Sequence, residues 1–113
     1  MKLCRFNYFL KQDEKIIYTF NCHMKSFINF QIVNEDGIIL ASDSRLLFCN
    51  MIGDHPNLLV AFDYKYITNT QIKEDNSIFM KHNGEPIKIT NLDKESSQKI
   101  IETIEKYKQS LYM

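Results

Sequence analysis

Apolar and polar residues alternate along most of the chain between residues 15 and 90. The clearest run is residues 16–24, where every second side chain is apolar and Thr19, Asn21 and His23 lie between them. Successive side chains of a strand point to opposite faces, so this repeat predicts a strand with one buried face. Similar runs follow, separated by Gly, Asn, Asp and Pro. We expect strands at about residues 15–24, 27–33, 37–42, 45–52, 57–64, 66–73, 77–82 and 86–90.

The two ends of the chain have the spacing of α-helices instead. Leu3, Phe6, Phe9 and Leu10 recur at three and four residues and predict a short amphipathic helix at about residues 2–11.

The C-terminal segment predicts a longer helix at about residues 93–110. Asp93 is a favourable N-cap, and Glu95 places negative charge in the first turn. One apolar stripe follows, made of Ile100, Ile101, Ile104, Tyr107 and Leu111.

Glycine and proline mark the predicted turns. Residues 34–37 and the pair Asn83 and Gly84 have the composition of hairpin turns, in which glycine takes a positive φ. Residues 53–57 are expected to form a loop, because the residue before a proline is biased away from helix. With 113 residues and no repeat, the chain predicts one domain. The order of elements favours a partly open barrel capped by the last helix, and a two-layer α+β sheet is the alternative.

Composition narrows the possible environments and partners. Fourteen Lys and Arg balance fourteen Asp and Glu, which argues against strong non-specific binding to nucleic acid or to an anionic membrane. The longest apolar run has five residues, far fewer than a transmembrane helix needs. No secretory signal is evident, and Cys4, Cys22 and Cys49 are an odd number of cysteines in apolar surroundings. We therefore expect free, buried thiols and a cytoplasmic location.

A resemblance to a known family emerges at residues 37–48, which read Gly-Ile-Ile-Leu-Ala-Ser-Asp-Ser-Arg-Leu-Leu-Phe. This stretch resembles the second and third strands of bacterial pleckstrin-homology (PH) domains, in particular of the YokE-like subgroup. Glu-Lys-Ile at 14–16 and Phe-Asp-Tyr-Lys-Tyr-Ile at 62–67 are similar to further segments of that subgroup. The likeness covers about residues 3–108. Residues 25–33 depart from it, and either lengthen the first strand or add an extra one.

The resemblance implies a mainly β fold: about seven antiparallel strands in a PH-like barrel, with a C-terminal helix as its cap. It also implies a non-enzymatic module for recruitment or assembly. Phosphoinositide binding is not expected, because the first strands offer only Lys15, Lys25 and Arg45, with Glu35 and Asp36 among them.

The residues themselves show no catalytic or metal-binding motif. Cys22 and His23 face opposite sides of the predicted strand and cannot reach one ion without a bulge, so no cofactor or metal is expected. Ser42, Asp43 and Ser44 lack the surroundings of a nucleophile and are explained by a turn.

We therefore predict a non-catalytic interaction module that binds a protein partner or its own copies. The alternative is a domain that binds a small molecule or lipid in the barrel mouth, which requires an apolar cavity. Arg45 belongs to the strand-turn-strand motif, where bracing the turn is its simplest role. The candidate contact residues are Lys25, Ser26, Arg45, Asp54 and His55, chosen for their positions near predicted loops.

Overall fold

The computed structural model describes residues 10–28 and 31–110. A 3-10 turn, Tyr64–Tyr66, separates the fourth strand from the fifth. The strands and the helix are β1 (Ile16–Ile28), β2 (Gln31–Ser42), β3 (Arg45–Ile52), β4 (His55–Asp63), β5 (Ile67–Ile72), β6 (Ile78–His82), β7 (Glu85–Thr90) and α1 (Lys94–Ser110).

The strands form one antiparallel sheet in the order β4-β3-β2-β1-β7-β6-β5. Because β4 and β5 lie at the two ends of this order, the sheet is open between them. The helix α1 packs against the 3-10 turn and β5. The predicted seven-stranded, helix-capped architecture is confirmed. Most of the predicted N-terminal helix falls on residues 1–9, outside the described residues, and residues 10 and 11 are not helical.

The first two strands are longer than predicted. β1 continues to Ile28 and β2 starts at Gln31, and the two pair from end to end. Residues 25–28 and 31–33 therefore lengthen these strands, and the expectation of an eighth strand and of a turn at residues 34–37 is wrong. The polar residues at 34–36, which the sequence predicts to form a turn, instead lie opposite residues of β1. Asp36, for example, is opposite His23. We refer to the end of the sheet with Ile28 and Gln31 as the upper end, and to the end with Ile16 and Ser42 as the lower end.

Gly37 is needed for space rather than for a positive φ. It lies within β2, and an added Cβ would come within 2.3 Å of the backbone oxygen of Cys49 and 2.8 Å of the Phe48 ring. The predicted turn at Asn83 and Gly84 is confirmed, with positive φ at both residues, as a type I′ hairpin requires.

The predicted loop at residues 53–57 is shorter than expected. Only Gly53 and Asp54 form the turn, whereas His55 and Pro56 already belong to β4. Since β4 is an edge strand, a proline there need not interrupt a hydrogen-bond ladder.

The alternation in β1 predicts the core face correctly only from Phe20 onward. Tyr18 is 36% exposed, and Ile16 packs into a different apolar cluster, because the register shifts between these two residues. Cys22 and Met24 are buried, while Thr19, Asn21 and Lys25 between and beyond them are exposed. The predicted N-cap is also confirmed, because the Ser96 amide donates to Asp93 Oδ1 at 2.7 Å. The main core contains Cys22, Met24, Ile39, Ala41, Leu46, Phe48, Phe62, Tyr64, Ile67, Ile78, Met80, Ile87, Ile89, Leu92, Ile100 and Ile104.

A second apolar cluster lies on the opposite face of β2 and β3. Leu40, Leu47 and Cys49 are fully buried there, and Leu10 and Ile16 pack against them. The paired segments 38–41 of β2 and 46–49 of β3 are therefore covered on both faces, in agreement with their continuous apolar sequence, whereas residues 34–36 of β2 are exposed.

Candidate functional site

A buried polar network closes the lower end of the sheet. Glu14 Oε2 accepts hydrogen bonds from Arg45 Nε at 2.9 Å, Ser42 Oγ at 2.6 Å and Ser44 Oγ at 3.0 Å. Glu14 Oε1 accepts from Arg45 Nη2 at 3.0 Å and from the Lys11 amide at 2.9 Å. The side chains of Glu14 and Arg45 are only 2% and 11% exposed. This bidentate ion pair fastens the segment before β1 to the turn between β2 and β3.

The network determines the protonation of Glu14. Burial raises the pKa of this carboxyl, but the hydrogen bonds from Arg45 and Ser42 outweigh burial and lower its pKa to about 2. Tyr64 extends the network, because its hydroxyl donates to the Ser42 carbonyl at 2.6 Å, and burial raises the pKa of that hydroxyl. Arg45, one of the predicted contact residues, is thus committed to the fold at this end.

Two other predicted contact residues, Asp54 and His55, lie at the exposed tip of the β3–β4 hairpin. Ile52, next to the turn, is 62% exposed and Met51 is 37% exposed. Asp54 and His55 are at the upper end, far along the strands from Arg45, and β2 lies between their hairpin and β1.

Lys25 and Ser26, the remaining predicted contact residues, lie within β1 rather than in a loop. They line a groove at the upper end, where β1 and β2 extend past the end of the β1–β7 pairing. We call it the seam groove. It has a volume of about 400 Å³ and is lined by Lys25, Ser26, Ile32, Phe79, Pro86, Ile87 and Lys88.

The seam groove exists because β1 and β7 separate. Their last paired residues are Ser26 and Ile87, and the next residue of β7 is Pro86, which has no amide hydrogen to continue the ladder. One pair earlier, Lys25 lies directly opposite Lys88. Ile32 of β2 is 71% exposed, which is the greatest exposure among the large apolar side chains that the structure describes.

A buried donor lies beneath the seam groove. Ser26 is 5% exposed, and its Oγ has no hydrogen-bond partner among the described residues. A buried hydroxyl without a partner is destabilising, so such groups are uncommon in folded proteins.

Sequence reasoning found two of the lining residues and missed the others. Phe79, Pro86 and Lys88 are more than fifty positions from Lys25 along the chain, and only the pairing of β1 with β7 brings them together. The register of those strands has no local sequence signal, so the missing side of the groove was not predictable from spacing.

The perturbed pKa values of His23, Cys22 and Cys49 each have a local structural cause. His23 lies between Asp36 Oδ1 at 2.7 Å and Asn34 Oδ1 at 2.6 Å, and the hydrogen bond to Asp36 is the main reason that its pKa is raised. Burial raises the pKa of the Cys22 and Cys49 thiols to about 12, so both are unreactive. In the part of the chain that is described, no group of three His, Cys, Asp or Glu could hold a metal ion.

No helix among the described residues is long and apolar enough to cross a bilayer.

The fold and these sites can be set against known proteins. The family model for the bacterial PH domain matches residues 10–106. The chain belongs to the bacterial PH domain family. No curated protein sequence matches it significantly. PH domains are modules for interaction with proteins or lipids, and they are generally non-catalytic.

Solved structures agree with this assignment at the level of the fold. The N-terminal PH domain of Vps36 is 10% identical, with a TM-score of 0.66 over 92% of this chain and 86% of that one. A structure of Vav1 inhibited by an allosteric inhibitor is 14% identical, with a TM-score of 0.71 over 98% of this chain and 33% of that one. The N-terminally truncated linker-DH/PH domains of p115-RhoGEF are 10% identical, with a TM-score of 0.69 over 96% of this chain and 33% of that one. The chain thus spans about a third of the length of these exchange-factor chains.

Proposed function

We propose that this PH domain is a non-catalytic interaction module that binds a protein partner in the seam groove. One observation carries the proposal: the groove has a largely apolar lining that includes Ile32, a side chain that is 71% exposed. Large apolar side chains that the fold leaves exposed beside a concave apolar surface are typical of sites where a partner docks.

The rest of the molecule supports a binding role over a catalytic one. Two groups with strongly perturbed pKa values, Glu14 and Tyr64, are engaged in the network that holds the lower end together. Perturbed groups accompany catalysis when they line a cleft, and these two do not line the seam groove.

Two further assignments belong to the proposal. The strand-turn-strand motif at residues 37–48 supports membership of the YokE-like subgroup. The free, buried thiols of Cys22 and Cys49 support a reducing, cytoplasmic location.

Affinity capture from the native host tests the proposal with three baits. Ile32→Asp places a charge in the seam groove and is expected to lose the partner that the wild-type domain retains. Ile52→Asp is the matched control, because Ile52 is similarly exposed but lies on the β3–β4 hairpin, and it should retain that partner. Loss on Ile52→Asp alone would instead place the contact at the hairpin with Asp54 and His55, and equal capture by all three baits would refute the seam groove.

Self-assembly and small-molecule binding are the competing functions. Light scattering over a concentration series should show a mass that does not depend on Ile32 if the groove binds a foreign protein. A rise in mass that Ile32→Asp abolishes would show that the groove binds a second copy. The groove volume of about 400 Å³ lies near the lower limit for small-molecule sites. A ligand screen by thermal shift therefore tests small-molecule binding as the second competing function.

A further inference from the structure

We infer that the segment bound in the seam groove is acidic and carries one large apolar side chain between aspartate or glutamate residues. This inference rests on the proposed function and adds the chemistry of the partner.

The apolar part of the groove determines the large apolar side chain of the bound segment, which we call the anchor. Ile32, Phe79, Pro86 and Ile87 supply its apolar walls, and the volume of about 400 Å³ suits one bulky side chain with the backbone that carries it. A single apolar or aromatic anchor in a concave site commonly supplies most of the binding energy of such a contact. The exposed surface of Ile32 would be buried by that anchor.

The charged side chains of the groove determine which residues should flank the anchor in the bound segment. Both charged residues that line it are lysines, and Lys25 and Lys88 lie directly opposite each other on β1 and β7. Like charges opposite each other on neighbouring strands repel, so a carboxylate placed over this pair removes an unfavourable interaction as well as making a favourable one. A third lysine lies nearby, with Lys73 Nζ 5.6 Å from the centroid of the Phe79 ring.

The surroundings favour a short acidic peptide over an anionic membrane. Glu74 and Asp75 line the adjoining surface together with Lys73 and Lys88, and the whole chain has a net charge of zero. A broad negative surface would meet these carboxylates and be repelled, whereas a peptide can place its few charges over Lys25 and Lys88 alone.

Selection from a phage-displayed random peptide library tests the inference, with the folded domain immobilised and clones that also bind Ile32→Asp removed. We expect the surviving clones to share one Phe, Trp, Leu or Met flanked by Asp or Glu. Fluorescence anisotropy with a labelled synthetic copy of the commonest clone then gives its affinity. A copy with Asn and Gln in place of the acidic residues should bind more than about tenfold more weakly.

Charge reversal in the domain provides the matching experiment. The double variant Lys25→Glu, Lys88→Glu should bind the acidic peptide more than about tenfold more weakly and should bind a copy with Lys in place of the acidic residues. Lys25 and Lys88 are both exposed, so the double variant is expected to fold as the wild type does. Lys15→Glu, Lys94→Glu is the control, since it changes the net charge equally at exposed lysines outside the groove, and it should keep the wild-type affinity within about twofold.

The possible results separate this inference from the proposed function. Groove-dependent clones with neutral or basic flanks would overturn the acidic partner but support docking in the seam groove. A library without groove-dependent clones overturns the inference, and so does saturable binding to phosphatidylserine vesicles that the Lys25→Glu, Lys88→Glu variant loses. Failure of the proposed function is read separately, from equal capture of host proteins by wild type and Ile32→Asp.

Discussion

At the lower end of the sheet, the buried polar groups of Glu14, Ser42 and Arg45 satisfy one another. At the upper end, the buried Ser26 hydroxyl has no partner among the described residues, and two lysines face each other across neighbouring strands. Both ends carry polar residues near hairpins of the same sheet. The difference lies in whether the fold itself supplies the partners.

This difference separates residues that hold the fold from residues that are available to a partner. Arg45 and Lys25 have the same formal charge, and sequence reasoning treated both as candidate contacts. Arg45 is 11% exposed and bound to a carboxylate, whereas Lys25 is exposed on the rim of the seam groove. Changes at the lower end should therefore affect stability, and changes at the upper end should affect binding.

The largest expected effect is that of removing Arg45. Arg45→Met leaves the Glu14 carboxylate buried without its cation, which should lower the free energy of unfolding by about 3–5 kcal/mol. Urea denaturation followed by circular dichroism measures the loss. Adding Glu14→Gln to Arg45→Met removes the unpaired charge and should restore part of the stability. If the free energy of unfolding of Arg45→Met alone were within about 1 kcal/mol of the wild-type value, this ion pair would not be what holds the lower end.

Lowering the pH should reduce the free energy of unfolding by a similar amount, because it protonates Glu14 at the lower end. The pKa of Glu14 is about 2 in the folded chain and near 4.5 without its partners, so the folded state binds the proton less readily than the unfolded state. Its contribution is therefore complete above about pH 5 and is lost as the pH falls toward 2. A shift of this size corresponds to roughly 3 kcal/mol.

The acid effect is measured by urea denaturation between pH 2 and pH 6, with Glu14→Gln as the control. The pKa values of Asp75 and Asp93 are also lowered, by hydrogen bonds from Ser77 and from the Ser96 amide, and both groups remain in that control. The raised pKa of His23, caused mainly by its hydrogen bond to Asp36, acts in the opposite direction, because its stabilisation is lost as the pH rises above about 6.5, and this group also remains in the control. Equal pH dependence in wild type and Glu14→Gln would refute the role of Glu14.

The sequence predicted the lower end better than the upper end, for a physical reason. The two-residue repeat and the helical stripe depend on local spacing, so most of the strands, the core face of β1 from Phe20 onward and the N-cap Asp93 are predictable from the sequence. The bracing role of Arg45 followed from its place in a motif, although its partner Glu14 did not. The walls of the seam groove depend on the pairing of β1 with β7, and Gly37 was misread because its constraint is the approach of Cys49 from another strand.

A smaller loss is expected from removing the Tyr64 hydroxyl. Tyr64→Phe keeps the buried ring but deprives the Ser42 carbonyl of a 2.6 Å hydrogen bond, which should lower the free energy of unfolding by about 1–2 kcal/mol. Tyr66→Phe is the control, because Tyr66 is 43% exposed and should change stability by less than about 0.5 kcal/mol. Equal losses in the free energy of unfolding for the two variants would show that the Tyr64 hydroxyl does not help to close the lower end.

The smallest effect, and the one with the opposite sign, is expected at Ser26. Ser26→Ala removes a buried hydroxyl that has no partner among the described residues, so the free energy of unfolding should stay the same or rise by up to about 1 kcal/mol. Ser42→Ala is the matched control at the lower end, where the same change removes a donor to Glu14 at 2.6 Å and should destabilise the domain. If Ser26→Ala were as destabilising as Ser42→Ala, the Ser26 hydroxyl would have a structural partner in solution. The polar groups of the upper end would then be satisfied by the fold as fully as those of the lower end, and the proposal that the seam groove binds a partner would lose one of its supports.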